Sequence, residues 1–193
     1  LPEPLARFLS LHPEIDVDVQ EMWTGEILEA LHRKKADIGI LADTMDTSGL
    51  HSTPLADDTL VVVGHPELMR PLSGSPTFEE CIEHAMVGLS EESALYTYLQ
   101  VKAAAHGKAI HYRVRMRSFE GVLRMASLGV GVSVVSSLAT QHLTAKHHGL
   151  EVRALRDAWA RRRLILCTHH AAGAAPGYVQ PLIDYLIDAG QQG

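Results

Sequence analysis

Cysteine is scarce. The 193 residues hold only Cys81 and Cys167. Two widely spaced cysteines make no disulfide framework and suit a reducing, cytoplasmic setting. Cys81 sits in "FEECIEH" beside two acidic residues, which oppose a reactive thiolate, so it reads as a buried structural thiol. Aromatic residues are 5% of a chain that is 46% hydrophobic, so the core must be mostly aliphatic. No apolar run approaches the roughly 20 residues that span a bilayer, and no signal-peptide pattern is present. The formal net charge is −6, which argues against a surface that grips nucleic acid. The local basic groups, Arg113, Arg115 and Arg117 and the run Arg161-Arg162-Arg163, read as solvated faces. G-x-S-x-G, H-E-x-x-H, P-loop and C-x-x-C patterns are all missing, so neither an enzyme nor a cofactor is expected. Twelve histidines raise the question of a metal. His142 and His147 do not share a helix face, however, and the neighbours His147-His148 and His169-His170 chelate one ion poorly, so surface or capping roles are expected.

What the chain does have is alternation of helix-like and strand-like segments. "LPEPLARFLSLHP" puts Leu1, Leu5, Phe8 and Leu9 on one helical face and stops at Pro13. "IDVDVQ" alternates as a half-buried strand. "TGEILEALHRKKA" is a helix with Thr24 as its cap, and "DIGIL" a short buried strand. This α-β-α-β order predicts a parallel sheet with crossover helices. "HSTPLADDTLVVVGHP" supplies one or two strands. The Pro-, Gly- and Ser-rich stretch from Pro66 to Pro76 then marks a boundary between lobes. Beyond it come a capping box at Thr77 and Glu80, strand "AMVGLS", a helix ending on Gly107, and strand "HYRVRMRS" with Tyr112, Val114 and Met116 on one face. After the unit "SFEGVLRMASLGVGVSVVSS" follow helix "LATQHLTAKHHG", strands "LEVRAL" and "RRRLILCTHH", and a last helix striped by Val179, Leu182, Ile183, Leu186 and Ile187.

A hydroxyl recurs where strand gives way to helix: Thr24, Ser90 and Ser93, and Ser118. A helix N-terminus leaves unpaired N–H groups and the positive end of its dipole. With a hydroxyl added, such a place suits a carboxylate or another anion, and in an open parallel sheet these turns gather where ligands bind. The plain alternative at each position is an ordinary cap. In the unit from Ser118 to Ser137, Ser118 caps a helix, Gly129 ends it in a left-handed conformation, Gly131 allows a close approach, and Val132 to Val135 form a buried strand whose exit, Ser136-Ser137, caps the next helix.

The stretches "LPEPLARFLSLHPEIDVDV", "EILEALHRKKADIGIL", "TPLADDTLVVVGHPELM", "VRMRSFEGVLRMASLGVGVSVVSS" and "LRDAWARRRLIL" resemble, in order and spacing, the effector-binding domain of a LysR-type transcriptional regulator. The resemblance spans nearly the whole chain. It implies an α/β, type 2 periplasmic-binding-protein-like fold, with two lobes joined by two crossing strands. Lobe I would be residues 1–66 plus 167–193 and lobe II residues 67–166. A small-molecule effector, an organic anion by the reading above, would bind between lobes at Thr24, Ala42, Asp43, Ser90, Ser93, Ser118, Gly131 and Val132. The family's first strand, the loop after it and the N-terminal winged helix-turn-helix are expected upstream of Leu1, so DNA would be bound only through that outside module. Ser136 stands where many relatives have Pro. The resemblance also implies a homo-oligomer, a dimer for this domain and a tetramer at full length, with the first helix and "IDVDVQ" at a paired edge and no membrane partner. Trp23 offers either an aromatic wall to the ligand or a packing group. The alternative function on the same fold is a solute-binding protein of a transport system, which would require export.

Overall fold

The computed structural model describes residues 2–143, 149–171 and 173–191. In chain order the elements are α1 (Pro2–Leu11), α2 (Thr24–His32), β1 (Gly39–Ala42), β2 (His51–Gly64), α3 (Pro66–Met69), α4 (Phe78–Ile82), β3 (Met86–Leu89), α5 (Ala94–Ala105), β4 (Tyr112–Met116), α6 (Phe119–Ser127), β5 (Ser133–Ser136), α7 (Ser137–Leu143), β6 (Glu151–Ala154), β7 (Arg161–Thr168) and α8 (Gln180–Gln191). The chain divides into two compact units, residues 1–57 with 163–193 and residues 58–162. The divisions fall inside β2 and β7, not at the Pro66–Pro76 connection. Prolines and glycines there make α3, with Pro66 at its first turn, and the turns that follow. "HSTPLADDTLVVVG" is one strand of 14 residues, and both β2 and β7 pass from one unit to the other.

Unit 1 is organised about β1 and the end of β7, which pair antiparallel from Gly39↔Cys167 to Ala42↔Leu164. Side chains alternate across a strand, and β7 uses both faces. Leu166 joins Phe8, Val179, Leu182, Ile183 and Leu186 on one side; Ile165 and Cys167 join Leu31 and Leu41 on the other. The stripe on α8 and the stripe on α1 thus cover one face and α2 the other. Two expectations fail here. The α-β-α-β order does not yield a parallel pair, because β1 pairs with a strand from the far end of the chain. Nor is "IDVDVQ" a strand: residues 15–23 carry no ladder. Its alternation holds in part: Ile15 and Val17 pack against the Phe8 cluster and Asp16 and Asp18 are exposed, but so is Val19. A strand, though, is defined by its partner's hydrogen bonds, and no partner stands beside it among the described residues.

Unit 2 follows its sequence more closely. β2 runs between β5 and β6, antiparallel to both, with Val61 opposite Val135 on one side and Ala154 on the other. β3 and β4 form a parallel pair, extended by a parallel bridge between Met86 and Val132. Leu60 to Val63 are fully or almost fully buried, as a strand covered on both faces requires. The capping box on α4 is present. The Thr77 N–H donates to Glu80 Oε2 at 2.6 Å, and the Glu80 N–H donates to Thr77 Oγ1 at 3.2 Å. Tyr112, Val114 and Met116 face the core. α6 runs to Ser127, and β5 runs from Ser133 to Ser136, one residue later at each end than the expected Val132 to Val135. Ser136 Oγ caps α7 by accepting from the Ala139 N–H at 3.4 Å. That helix is described to Leu143; the rest of "LATQHLTAKHHG" before Gly149, with His147 and His148, lies outside the described residues.

Candidate functional site

Within unit 2 the hydroxyls collect at the carboxyl ends of the parallel strands. The Ser90 N–H donates to the Met116 carbonyl at 2.8 Å, which ties the end of β3 to the end of β4. Ser118 follows two residues later. Ser93 is buried and caps α5, its Oγ accepting from the Leu95 N–H at 3.2 Å. Ser118 caps α6, its Oγ accepting from the Gly121 N–H at 3.2 Å, and it is exposed. Among the described residues neither hydroxyl donates its own O–H. Ser90 Oγ is buried and meets no partner at full hydrogen-bond geometry among the described residues. It lies close to the Glu92 carboxylate, which is held below its ordinary pKa by its own backbone N–H first, then by the Ser90 hydroxyl, with Arg117 and Arg115 adding. Two helix N-termini and three hydroxyls are therefore assembled at one end of one parallel pair.

The arginines of β4 are less free than their spacing suggests. Arg115 pairs with Glu91 and lies over the Tyr96 ring at 5.8 Å. Arg113 donates to the Val130 carbonyl at 3.2 Å. Gly129 has φ +75°, the left-handed conformation expected at the end of α6. Gly131 is needed for space: a Cβ there would stand 2.5 Å from the Ala85 carbonyl oxygen. Val132 is fully buried, donates its N–H to Ala85 and accepts from the Val87 N–H. Its backbone and side chain are thus committed to the sheet.

In unit 1, Thr24 is the first residue of α2 and not its cap. The cap position is Trp23, whose N–H donates to Glu26 Oε2 at 2.8 Å. Glu26 thus satisfies the N–H of the cap residue itself, the reciprocal half of a capping box, and not the helix N–H groups that a capping threonine would have served. Ala42 ends β1, half-buried. The Asp43 N–H donates to the Arg163 carbonyl at 2.9 Å, and the Asp43 residue is exposed.

Cys81 is the buried thiol that the sequence implied, and Cys167 is buried as well. Burial, then Glu80 and Asp157, push Cys81 up to about 12; burial also raises Cys167. Among the described residues no three His, Cys, Asp or Glu are grouped to hold a metal ion. No described helix is long and apolar enough to cross a membrane. One polar constellation escaped the sequence reading. Asp58, fully buried on β2, meets Arg162 of β7 and the serines at the start of α7. An Asp-Asp pair in a strand and an Arg run in another carry no local sign that they will meet.

A model of the LysR substrate binding domain matches residues 1–191. The transcriptional regulator CatR of Pseudomonas putida is 28% identical over 170 residues, which are 86% of this chain and 56% of that protein. The chain spans about half the length of the curated regulators it matches, 45–56%. Among solved structures, the BenM effector binding domain with its effector benzoate has a TM-score of 0.80 at 19% identity, covering 100% of this chain and 86% of that one. The effector binding domain of QuiR in complex with shikimate has a TM-score of 0.78 at 17% identity, covering 99% and 90%. The shared fold is that of LysR effector-binding domains, two-lobed and periplasmic-binding-protein-like, and the chain belongs to the LysR substrate-binding domain family.

Proposed function

We propose that this domain senses a small organic anion in the cytoplasm and governs transcription through a DNA-binding module outside this chain, in an assembly of identical subunits. The observation that carries the reading is the cluster of Ser90, Ser93 and Ser118 at the ends of β3 and β4, with the N-termini of α5 and α6. Hydroxyl donors and helix-terminal amides recognise carboxylates without a fixed cation. The relatives named as regulators, and structural neighbours holding benzoate and shikimate, support a regulatory sensor over a transport-associated binding protein. Thr24, Ala42, Asp43, Gly131 and Val132 are proposed as further contributors. For Gly131 and Val132 the contribution is to hold the sheet that presents the serines.

Calorimetric titration with benzoate, shikimate and related carboxylates tests this. One of the panel is expected to bind the wild-type protein, and Ser118→Ala to weaken it about ten- to a hundredfold, since a hydrogen bond to a charged group contributes about 1.5–3 kcal/mol. Unchanged affinity with a stability loss of about 1 kcal/mol would make Ser118 a cap and no more.

A further inference from the structure

The network around Asp58 has no part in the proposed binding site. Its carboxylate is fully buried, and the Arg162 side chain is 9% exposed. Arg162 donates from Nε to Asp58 Oδ2 at 2.8 Å, and its Nη2 stands 2.7 Å from the same oxygen as an ion pair. Ser136 Oγ donates to Oδ1 at 2.7 Å, and Ser137 Oγ stands 3.5 Å from the same oxygen. Ser137 Oγ in turn accepts from the Thr59 N–H at 3.3 Å, and Ser136 Oγ caps α7. Three chain segments are thereby joined: β2, β7 and the junction of β5 with α7. Asp58 and Arg162 are also the first and last residues of unit 2, the points at which both strands leave it.

A buried ion pair is a poor source of stability, since apolar residues of similar volume do as well or better. Its best-attested use is to fix register. The sequence here fits that use. A one-residue slip of β7 against β2 sends every side chain to the wrong face. A two-residue slip keeps the faces but sets Ala160 or Leu164 at Asp58, leaving a buried carboxylate without a cation. We infer that Asp58, Arg162, Ser136 and Ser137 form a conformational clamp. It holds β2, β7 and α7 in one register where the two strands leave unit 2, and so confines backbone opening in those strands to residues on the unit 1 side. Because β5 ends at Ser136, the clamp also fixes the far end of the helix–strand unit that begins at Ser118.

Hydrogen–deuterium exchange of this domain, read peptide by peptide, tests the clamp with two variants. Ser136→Ala removes one arm. Asp58→Leu with Arg162→Met replaces the pair by apolar groups. In Ser136→Ala, exchange in peptides covering residues 58–64 and 137–141 is expected to quicken about tenfold, with peptides of α4 and α5 unchanged. The double variant is expected to keep the wild-type thermal midpoint or exceed it, yet show the same local quickening, with 161–165 included. Unchanged exchange in either folded variant overturns the clamp. So does a uniform rise across unit 2 in Ser136→Ala, which would mean general destabilisation. If the double variant does not fold, Ser136→Ala decides alone by the same criterion.

Discussion

Unit 2 buries one continuous apolar cluster reaching from Leu60 to Ala160. Unit 1 splits its buried residues into two smaller clusters on opposite faces of β1 and β7. The difference follows from where partners lie in the sequence. Unit 2 is a single stretch whose helices and caps are set by near neighbours, although its strand β2 pairs far along the chain, Leu60 with Ser136 and Val61 with Ala154. Unit 1 is completed by a strand and a helix from the far end. Signals carried by adjacent residues therefore foretell the helices and caps of unit 2 well, while strand pairing in both units rests on partners that no local pattern encodes.

The largest test of this contrast compares two buried phenylalanines. Phe78, edge-on to Trp159 at 5.4 Å between centroids, belongs to the continuous cluster, and Phe8 to a smaller one. Phe78→Ala is expected to lose about 3–5 kcal/mol by chemical denaturation, as buried Phe→Ala changes do. Phe8→Ala should fall at the lower end of that range, because a cluster with half-buried neighbours collapses more readily into the space. Equal losses would mean that the two cores are equally rigid.

Two threonines sharpen the contrast at smaller scale. Thr77 is a true cap, so Thr77→Ala should cost about 1 kcal/mol. Thr24 lies one position inside its helix, and Thr24→Ala should stay within about 0.5 kcal/mol. A larger loss at Thr24 than at Thr77 would contradict the placement of the α2 cap at Trp23.

The smallest expected effect is a near-absence of reaction. At pH 8 a thiol reagent should leave both cysteines of the folded protein unmodified. On addition of denaturant Cys167, in the smaller core, should label before Cys81. Cys81 in the folded state holds its proton up to about 12. The unfolded chain releases it earlier, so the contribution of this thiol to stability is complete below the unfolded pKa and declines as pH rises toward 12. Cys81→Ala should flatten that alkaline decline.

These contrasts also mark what could be read in advance. The box at Thr77 and Glu80, the left-handed Gly129, the crowding at Gly131 and the inward face of Tyr112, Val114 and Met116 each depend on a few adjacent residues, and each is found where expected. Ser93 and Ser118 were legible as caps for the same reason. The sheet of unit 1 was not, because Gly39 finds its partner at Cys167. "IDVDVQ" shows the limit from the other side: its alternation reports Ile15 and Val17 correctly as inward but fails at the exposed Val19, and alternation alone does not supply a neighbouring strand. Thr24 misled because a Thr before a helical pattern looks the same at the cap and one place later. Val132 was legible as core; its commitment of both backbone groups to the sheet was not, since that rests on meeting Ala85 and Val87.

The division of the chain also sets an order of events during synthesis. Unit 2 is one uninterrupted stretch, residues 58–162, and its last residue, Arg162, is the one that completes the ion pair with Asp58. Once that residue clears the ribosome, every segment of the unit is present and can condense. Unit 1 has already offered α1, α2 and β1 by then, but the rest of β7, from Arg163, and α8 are still to come. Domains form as their segments become available, and distant pairings wait on loop closure. The segments α1, α2 and β1, made before unit 2, thus belong to the part that finishes last. Until then, the apolar faces of α1 and β1 are what a nascent-chain chaperone would have to cover.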